Sequence, residues 1–215
     1  MADIFNEVDE DVRKDKSLAL WNAYGKYIIA LAVLIVVVTA AFVGWEKYQE
    51  SQSQAEGAQF EAAAALMTEK KYDDAAEAFS ALAEDGNSGY RPLASLREAA
   101  ALIAAGQGAE ALEIYDSLAG DDDVASEFST LADLLAGYYL LNNGTAEETR
   151  ARAEKISEPG GIWSAAANEL IALTYLKDGN KDKAREILTT LENDADVPKD
   201  IKGRVSQLLA ALGGE

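Results

Sequence analysis

The stretch AAALIAAGQGAEALEIYDSL, residues 99–118, decides the fold. Small and large apolar residues recur at helical spacing on both sides of Gly106, so the stretch predicts two helices joined by a tight turn. A single helix pair of this kind cannot bury its apolar face. We therefore expect further copies of the pattern that stack on this one.

Three more copies align with this stretch, and successive copies are offset by 36, 38 and 35 residues. Small residues let the two helices of a pair approach closely, and large apolar residues fill the space between pairs. The first helices carry a small column of Ala63, Ala99, Gly137 and Ala172, and a large column of Leu66, Leu102, Leu140 and Tyr175. The turn column reads Lys70, Gly106, Gly144 and Gly179. The second helices carry Ala75, Ala111, Thr149 and Ala184, then Phe79, Tyr115, Ala153 and Leu188, then Leu82, Leu118, Ile156 and Leu191.

The third copy departs most from this pattern, because Thr149 and Ala153 stand where an alanine and an aromatic residue are expected. We expect this pair to be distorted. Its second helix still opens with Thr145-Ala-Glu-Glu148, which is a capping-box pattern. Residues 197–212 (VPKDIKGRVSQLLAAL) predict a closing helix over the last apolar face, with Pro198 in its first turn.

The order of small residue, large residue, glycine turn, alanine, aromatic and leucine resembles the tetratricopeptide repeat, whose period is about 34 residues. The resemblance is clearest in residues 102–118 and 175–191. It implies an all-α fold, in which residues 60–215 form a tetratricopeptide-like α-solenoid of about four helix pairs plus a terminal helix.

Upstream of the repeats, residues 27–45 (YIIALAVLIVVVTAAFVGW) contain no charge. As a helix they would span about 28 Å, close to the hydrocarbon core of a bilayer. Tyr24, Tyr27 and Trp45 lie at the two ends, where aromatic rings favour the membrane interface. We predict a transmembrane helix over residues 27–45. The alternative is a signal peptide cleaved after Ala40, but the apolar run continues past that position.

The distribution of lysine and arginine predicts the orientation of this helix. Four basic residues precede the run, whereas only Lys47 lies in the 20 residues that follow it. Because positive residues stay on the cytoplasmic side, we predict a cytoplasmic tail over residues 1–26 and a domain over residues 60–215 on the other side of the membrane. In a Gram-negative bacterium that domain would be periplasmic. Residues 46–59 predict a helical stalk, with a flexible linker as the alternative.

The composition argues against catalysis and against nucleic acid. The chain has no cysteine and no histidine, which excludes a thiol nucleophile, an imidazole base and any Cys/His zinc site. A net charge of -19 repels phosphate backbones. We predict that the protein is not an enzyme and has no cofactor, metal ion or small-molecule substrate. An acid-based hydrolase, the enzyme alternative, would need paired buried carboxylates.

Three polar segments are interpreted as turns rather than sites. Asp121-Asp122-Asp123 lacks the alternating ligands and distal glutamate of a calcium loop, and Asp123 is placed to cap the next helix. Gly160-Gly161 has no phosphate-binding frame around it. Residues 192–196 (ENDAD) precede Pro198 and predict a turn before the closing helix.

Four aromatic residues are the candidate contacts with partner proteins. Trp21 and Tyr24 lie in residues 17–24, a segment that is apolar on one face and is expected at the cytoplasmic membrane interface. Tyr138 and Trp163 belong to the first helices of their pairs, which line the inner face of a solenoid of this type. Packing in the core is the alternative for Tyr138 and Trp163.

The whole arrangement has a further resemblance. A tail that opens MADIFNEVDEDVRKDK, one anchor, a stalk and a degenerate repeat domain resemble the ancillary subunit of the bacterial Sec translocon. This resemblance implies a single-pass inner-membrane protein that associates with the translocon and with periplasmic chaperones or client chains. The alternative is a scaffold or accessory subunit of another inner-membrane complex, such as a cell-division or respiratory complex.

Overall fold

A computed structural model describes residues 2–85 and 89–213, with the backbone alone for residues 2–17, 19 and 85. Within these residues the chain forms nine α-helices and no strand, which confirms the predicted all-α class. The chain divides into two compact units, Met1–Ala55 and Glu56–Glu215.

The first unit belongs to α1 (Ala2–Thr68). An 18-residue window of this helix has a mean hydropathy of 2.8, and none of the window is buried. The helix is therefore long and apolar enough to cross a membrane, and it is a candidate span. Thr39 donates its hydroxyl to the carbonyl oxygen of Ile35 at 2.8 Å, so this polar group is satisfied within the helix. A signal sequence meets the same criteria of length and composition, so the choice between an anchor and a cleaved leader remains a prediction.

The second unit contains four helix pairs and a closing helix, as the repeat predicts. The end of α1 packs against α2 through Phe60 and Phe79, whose ring centroids are 5.2 Å apart. First helices contact the first helices of the next pair, so α3, α5, α7 and α9 form one continuous layer. The elements are α2 (Tyr72–Asp85), α3 (Tyr90–Ala105), α4 (Gly108–Ala119), α5 (Ser126–Asn143), α6 (Ala146–Lys155), α7 (Ser164–Lys177), α8 (Lys181–Asn193) and α9 (Lys199–Gly213).

The aligned columns coincide with the buried residues. Both small columns are buried at all four positions, and so are the two columns that follow on the second helices. The large column on the first helices is less enclosed, because only Leu102 is buried and Leu66, Leu140 and Tyr175 are half-buried. The repeat register read from the sequence is therefore confirmed, because the aligned small residues of both helices are buried in all four pairs.

Three of the four turns within pairs are built alike. Lys70, Gly106 and Gly179 have left-handed φ angles of 61°, 87° and 77°. In each, the next N–H donates to the carbonyl oxygen five residues earlier, at 2.8–2.9 Å. This closure satisfies a carbonyl that the end of the first helix would otherwise leave unpaired. Lys70 adopts the same conformation as the two glycines, at the cost that any residue with a Cβ atom bears there.

The third turn differs, as expected for the third pair. Gly144 has an extended φ of -125° and donates its N–H to Leu140 at 2.7 Å. Thr145 then begins α6 with the predicted capping box. The N–H of Glu148 donates to the Thr145 hydroxyl oxygen at 3.1 Å, and the N–H of Thr145 donates to the Glu148 carboxylate at 2.8 Å. The capping box is therefore confirmed.

The second unit has two hydrophobic clusters that meet on α5. The buried residues of the first run from Ala63 to Ala136, and those of the second run from Leu134 to Val205. Leu131 packs against both clusters. Ile201 and Val205 of α9 are buried in the second cluster, so the closing helix covers the last apolar face.

Two details of helix boundaries differ from the expectations. Asp123 does not cap α5, because the residue before that helix is Ala125. The N–H of Asp123 instead donates to the Asp121 carboxylate at 2.9 Å and closes a local turn. The closing helix begins at Lys199, so Pro198 lies just outside its first turn. The carbonyl oxygen of Pro198 still accepts from the N–H of Lys202 at 3.0 Å.

Candidate protein-interaction surfaces

Trp21 and Tyr24, the two candidates of the first unit, are exposed on α1, with 54% and 58% of their surface accessible. A Cβ atom at Gly25 would lie 3.1 Å from the indole ring of Trp21. Glycine at this position therefore leaves room for the ring to lie against the helix. Both side chains present aromatic surface at the amino-terminal end of the apolar run.

Trp163 does not lie on the first helix of its pair, as expected, but directly precedes α7, and it is half-buried against the second hydrophobic cluster. Its indole Nε1 donates to the backbone carbonyl of Glu127 at 3.0 Å. This contact ties the start of α7 to the start of α5. Trp163 therefore has a packing role, and only part of its ring remains accessible to a partner.

Tyr138 lies on α5 beside an ion pair between α7 and α9, which belong to the same helix layer as α5. Arg204 of α9 donates to both carboxylate oxygens of Glu169 of α7, at 2.7 and 2.6 Å. Glu169 is 2% exposed, whereas Arg204 remains half open to solvent. Burial raises the pKa of the Tyr138 phenol, and the carboxylate of Glu169 raises it further. The three side chains connect α5, α7 and α9 within one polar cluster.

The sequence contains one signal for this cluster, which none of the predicted contact residues includes. Glu169 is an isolated acid within the apolar run AANELIALTYL of α7, and a buried acid needs a partner. Its partner Arg204 lies 35 residues further on, where no sequence pattern connects the two. The structure brings Tyr138 to this pair, and it places Trp163 at the other end of α5.

An acidic groove of about 660 Å³ lies between α2, α3 and α4. Among the described residues that line it, five are acidic and none is basic. Burial raises the pKa of the Glu98 carboxyl, Glu84 raises it as well, and a hydrogen bond with Ser80 opposes the shift. The acids are Asp73, Glu77, Glu98, Glu110 and Glu113. This groove disfavours an anionic partner.

The triple aspartate forms no comparable site. The Asp121 carboxylate is paired with the Arg91 guanidinium and also accepts the N–H of Asp123. Within the part of the chain that the structure describes, no group of three or more acidic side chains is arranged to hold a metal ion. Gly160, with a φ of 87°, lies in a turn, as predicted. The turn expected over residues 192–196 is shorter than predicted, because Glu192 and Asn193 belong to α8 and only residues 194–196 lie outside it.

The family of tetratricopeptide repeat-like domains matches residues 19–195, and the chain belongs to this family. No curated protein and no solved structure matches the chain. Domains of this kind are generally non-catalytic modules for protein–protein interaction, because stacked helix pairs create extended binding surfaces. The match begins at residue 19, so it includes the candidate span together with the repeats.

Proposed function

We propose that this protein is a single-pass protein of the bacterial inner membrane that binds other proteins and does not catalyse a reaction. Its partners are the Sec translocon and the periplasmic chaperones or client chains of protein export. The observation that carries the proposal is that one family match covers the apolar helix and the helix-pair domain together. A binding module fused to a candidate span is suited to act beside one membrane site.

The proposed topology rests on the positive-inside rule. Residues 1–26 carry four basic residues, and the domain from residue 46 onward carries 32 acids against 15 bases. The tail and the exposed Trp21 and Tyr24 contact the membrane-embedded partner. Residues 60–215 contact soluble partners on the periplasmic side, with Tyr138 and Trp163 as contributors.

Co-purification from cells tests the partner assignment. Full-length protein, a form without residues 1–20 and a form without residues 60–215 are compared after mild detergent extraction. We expect full-length protein to recover translocon subunits and chaperones. Deletion of residues 60–215 removes the chaperones and retains the translocon, because Trp21, Tyr24 and the apolar helix remain. Stoichiometric recovery of a cell-division or respiratory complex without translocon subunits would replace this assignment with the scaffold alternative.

A reporter that is active only in the periplasm tests the topology. Fused after Glu215, it is expected to be active, whereas activity of a cytoplasm-only reporter at that position contradicts the model. The amino terminus of the mature protein is measured in the same cells. A mature chain that begins at Ala41 would show that the apolar run is a cleaved signal peptide.

A further inference from the structure

A cavity of about 770 Å³ lies at one edge of the second unit, where the loop of residues 156–163 meets the turn of residues 194–198. We call it the loop-edge cavity. Its lining includes the buried Leu191 and Val197, so the cavity opens directly onto the second hydrophobic cluster. The half-buried Ile187 of α8 also lines it. An apolar side chain entering the cavity would meet the core of the domain.

Ile162 stands at this cavity with 68% of its surface exposed. Among the described residues of the second unit, the only other large apolar side chain classed as exposed is Leu93, at 39%. Exposing an isoleucine to this extent forgoes the stabilisation that its burial would provide. In the protein without a bound partner, Ile162 is largely exposed to solvent. A partner that covers Ile162 would therefore bury apolar surface.

The loop that presents Ile162 is held in place on both sides. Ser164 donates its hydroxyl to the carbonyl of Ser157 at 2.9 Å, and Asn168 donates to the same carbonyl at 3.0 Å. Trp163 is tied to Glu127 as described above. A preorganised loop loses little conformational entropy when a partner binds, so a small apolar contact contributes more to affinity.

The polar lining of the loop-edge cavity has one sign of charge. Glu186, Asp194 and Asp196 line it, and no lysine or arginine does so among the described residues. Asp194 accepts the N–H of Asp196 at 2.9 Å, which fixes the turn and holds the carboxylate beside the apolar surface. The charge complement of this lining is a cationic group close to an apolar one.

We propose that the loop-edge cavity binds an extended protein segment in which one large aliphatic side chain is flanked by lysine or arginine. The aliphatic group packs on Ile162 and Ile187, and the flanking cations face the three carboxylates. The proposal rests on the protein-binding function above and assigns that function a partner chemistry and a place. The loop-edge cavity is lined by none of Tyr138, Glu169 and Arg204, so it is separate from the polar cluster that joins α5, α7 and α9.

The test uses the full chain in nanodiscs of phosphatidylcholine and short fluorescent peptides, with binding to empty nanodiscs subtracted. One peptide has a lysine–leucine–lysine centre between glycine and serine residues, and the two matched peptides have lysine–serine–lysine and glutamate–leucine–glutamate centres. We expect only the first to bind. Ile162→Ser is expected to weaken it about tenfold, the effect of losing one buried aliphatic contact.

Neutralising the lining with Glu186→Gln, Asp194→Asn and Asp196→Asn is expected to weaken the same peptide about fivefold at low salt. Asparagine at 194 keeps the oxygen that accepts the N–H of Asp196, so the turn remains closed. Two variants are matched controls. Leu93→Ser removes the other exposed aliphatic residue, and Asp73→Asn with Glu110→Gln and Glu113→Gln removes three charges from the acidic groove. Both controls are expected to bind as wild type does.

A photoreactive group at the leucine position of the peptide is expected to crosslink to residues 156–165 or 186–198. Equal weakening by the control variants, crosslinks confined to other helices, or no binding would overturn the proposal. With the photoreactive group placed instead at position 162 of the chain, crosslinks between two copies of the chain would replace the peptide with a second copy as the occupant. Chaperone recovery that depends on residues 60–215 but is unchanged by Ile162→Ser would refute this cavity while leaving the proposed function intact.

Discussion

The second helices of the second and third pairs, α4 and α6, occupy equivalent places in the stack but are held by different forces. The helix α4 buries Ala111, Tyr115 and Leu118. The helix α6 is two residues shorter, and it buries only Ala146, Thr149 and Ala153. The small positions are buried in both helices, so the register survives although Ala153 stands in place of the ring of Tyr115 and the buried Ile156 lies just beyond the last residue of α6.

Two arginines of α6 take the place of the missing apolar contacts. Arg152 pairs back to Asp116 of α4 at 2.6 Å and to Asp133 of α5 at 3.4 Å. Arg150 reaches forward to α7, where it pairs with Asp178 at 2.6 Å and covers the ring of Tyr175 at 4.2 Å. The small residues therefore set the register in both pairs, whereas the contacts between neighbouring pairs can be apolar or ionic.

The largest expected effect tests the apolar side of this comparison. Tyr115 is 2% exposed, and burial raises its pKa to about 12. Tyr115→Ala is expected to cost about 3–5 kcal/mol, because it removes a buried ring and leaves a cavity. Chemical denaturation of the full chain in detergent, followed by circular dichroism, measures the loss. Tyr115→Phe keeps the ring and serves as the control. If Tyr115→Ala lowered the free energy of unfolding less than Arg152→Met does, the ionic contacts of α6 would be stronger than the apolar contacts of α4.

The next effect concerns the small column, where the third pair has Gly137 and the second has Ala99. A Cβ atom at Gly137 would lie 2.7 Å from Cδ2 of Leu170, which is fully buried. Gly137→Ala is therefore expected to cost about 1–3 kcal/mol through overpacking, despite the better helix propensity of alanine. Leu170→Ala alone is expected to cost about 2–5 kcal/mol, and the double variant should lose less than the sum of the two single variants, because alanine at 170 makes room for the added methyl group. Independent, additive losses in the double variant would show that the two helices do not meet at this point.

A smaller effect tests the ionic side. The side chains of Arg152 and Asp133 are 18% and 13% exposed, so solvent screens their interaction only in part. Arg152→Met keeps the aliphatic stem and is expected to cost about 1–2 kcal/mol. The difference between wild type and this variant should shrink in high salt, whereas the loss from Tyr115→Ala should not. A salt-independent loss would indicate that the stem, not the charge, holds α6.

The smallest effect concerns the start of α6. Thr145→Ala is expected to cost about 1 kcal/mol by removing the cap. The hydrogen bond from the Thr145 N–H lowers the pKa of the Glu148 carboxyl. A lowered folded-state pKa means that this contribution is present above the unfolded value and is lost as the pH falls through the folded value. The protection factors of the first amides of α6, which correct for the intrinsic pH dependence of amide exchange, should therefore fall on acidification, and Glu148→Gln should remove most of that fall.

Residues at fixed spacing made most of the fold predictable. The alignment of Ala111 with Ala184 located buried positions of the second helices, and Thr145 with Glu148 located a helix start, because each signal lies within a few residues of the feature it predicts. The left-handed conformation of Lys70 was not foreseeable from its side chain.

The sites were less predictable, because they depend on residues far apart in the chain. Glu169 and Arg204 belong to no shared pattern, and the loop-edge cavity joins two segments interpreted only as turns. The aromatic ring of Trp163 predicts a contact with a partner, but in the structure its indole N–H connects the start of α7 to α5. Its neighbour Ile162, which is much more exposed, carried no signal in the sequence.

The two hydrophobic clusters have a consequence for the order in which the chain folds. The first draws its buried residues from positions 63–136, and the second from positions 134–205, so they share little more than α5. A chain delivered amino terminus first can close the first cluster while the residues of the second are still to come. The contacts within each cluster are between neighbouring pairs, so closure spans short loops and is fast. If residues 156–205 are delivered slowly, the first cluster should therefore fold first. The face of α5 that contacts α7 would then stay exposed until α7 is delivered.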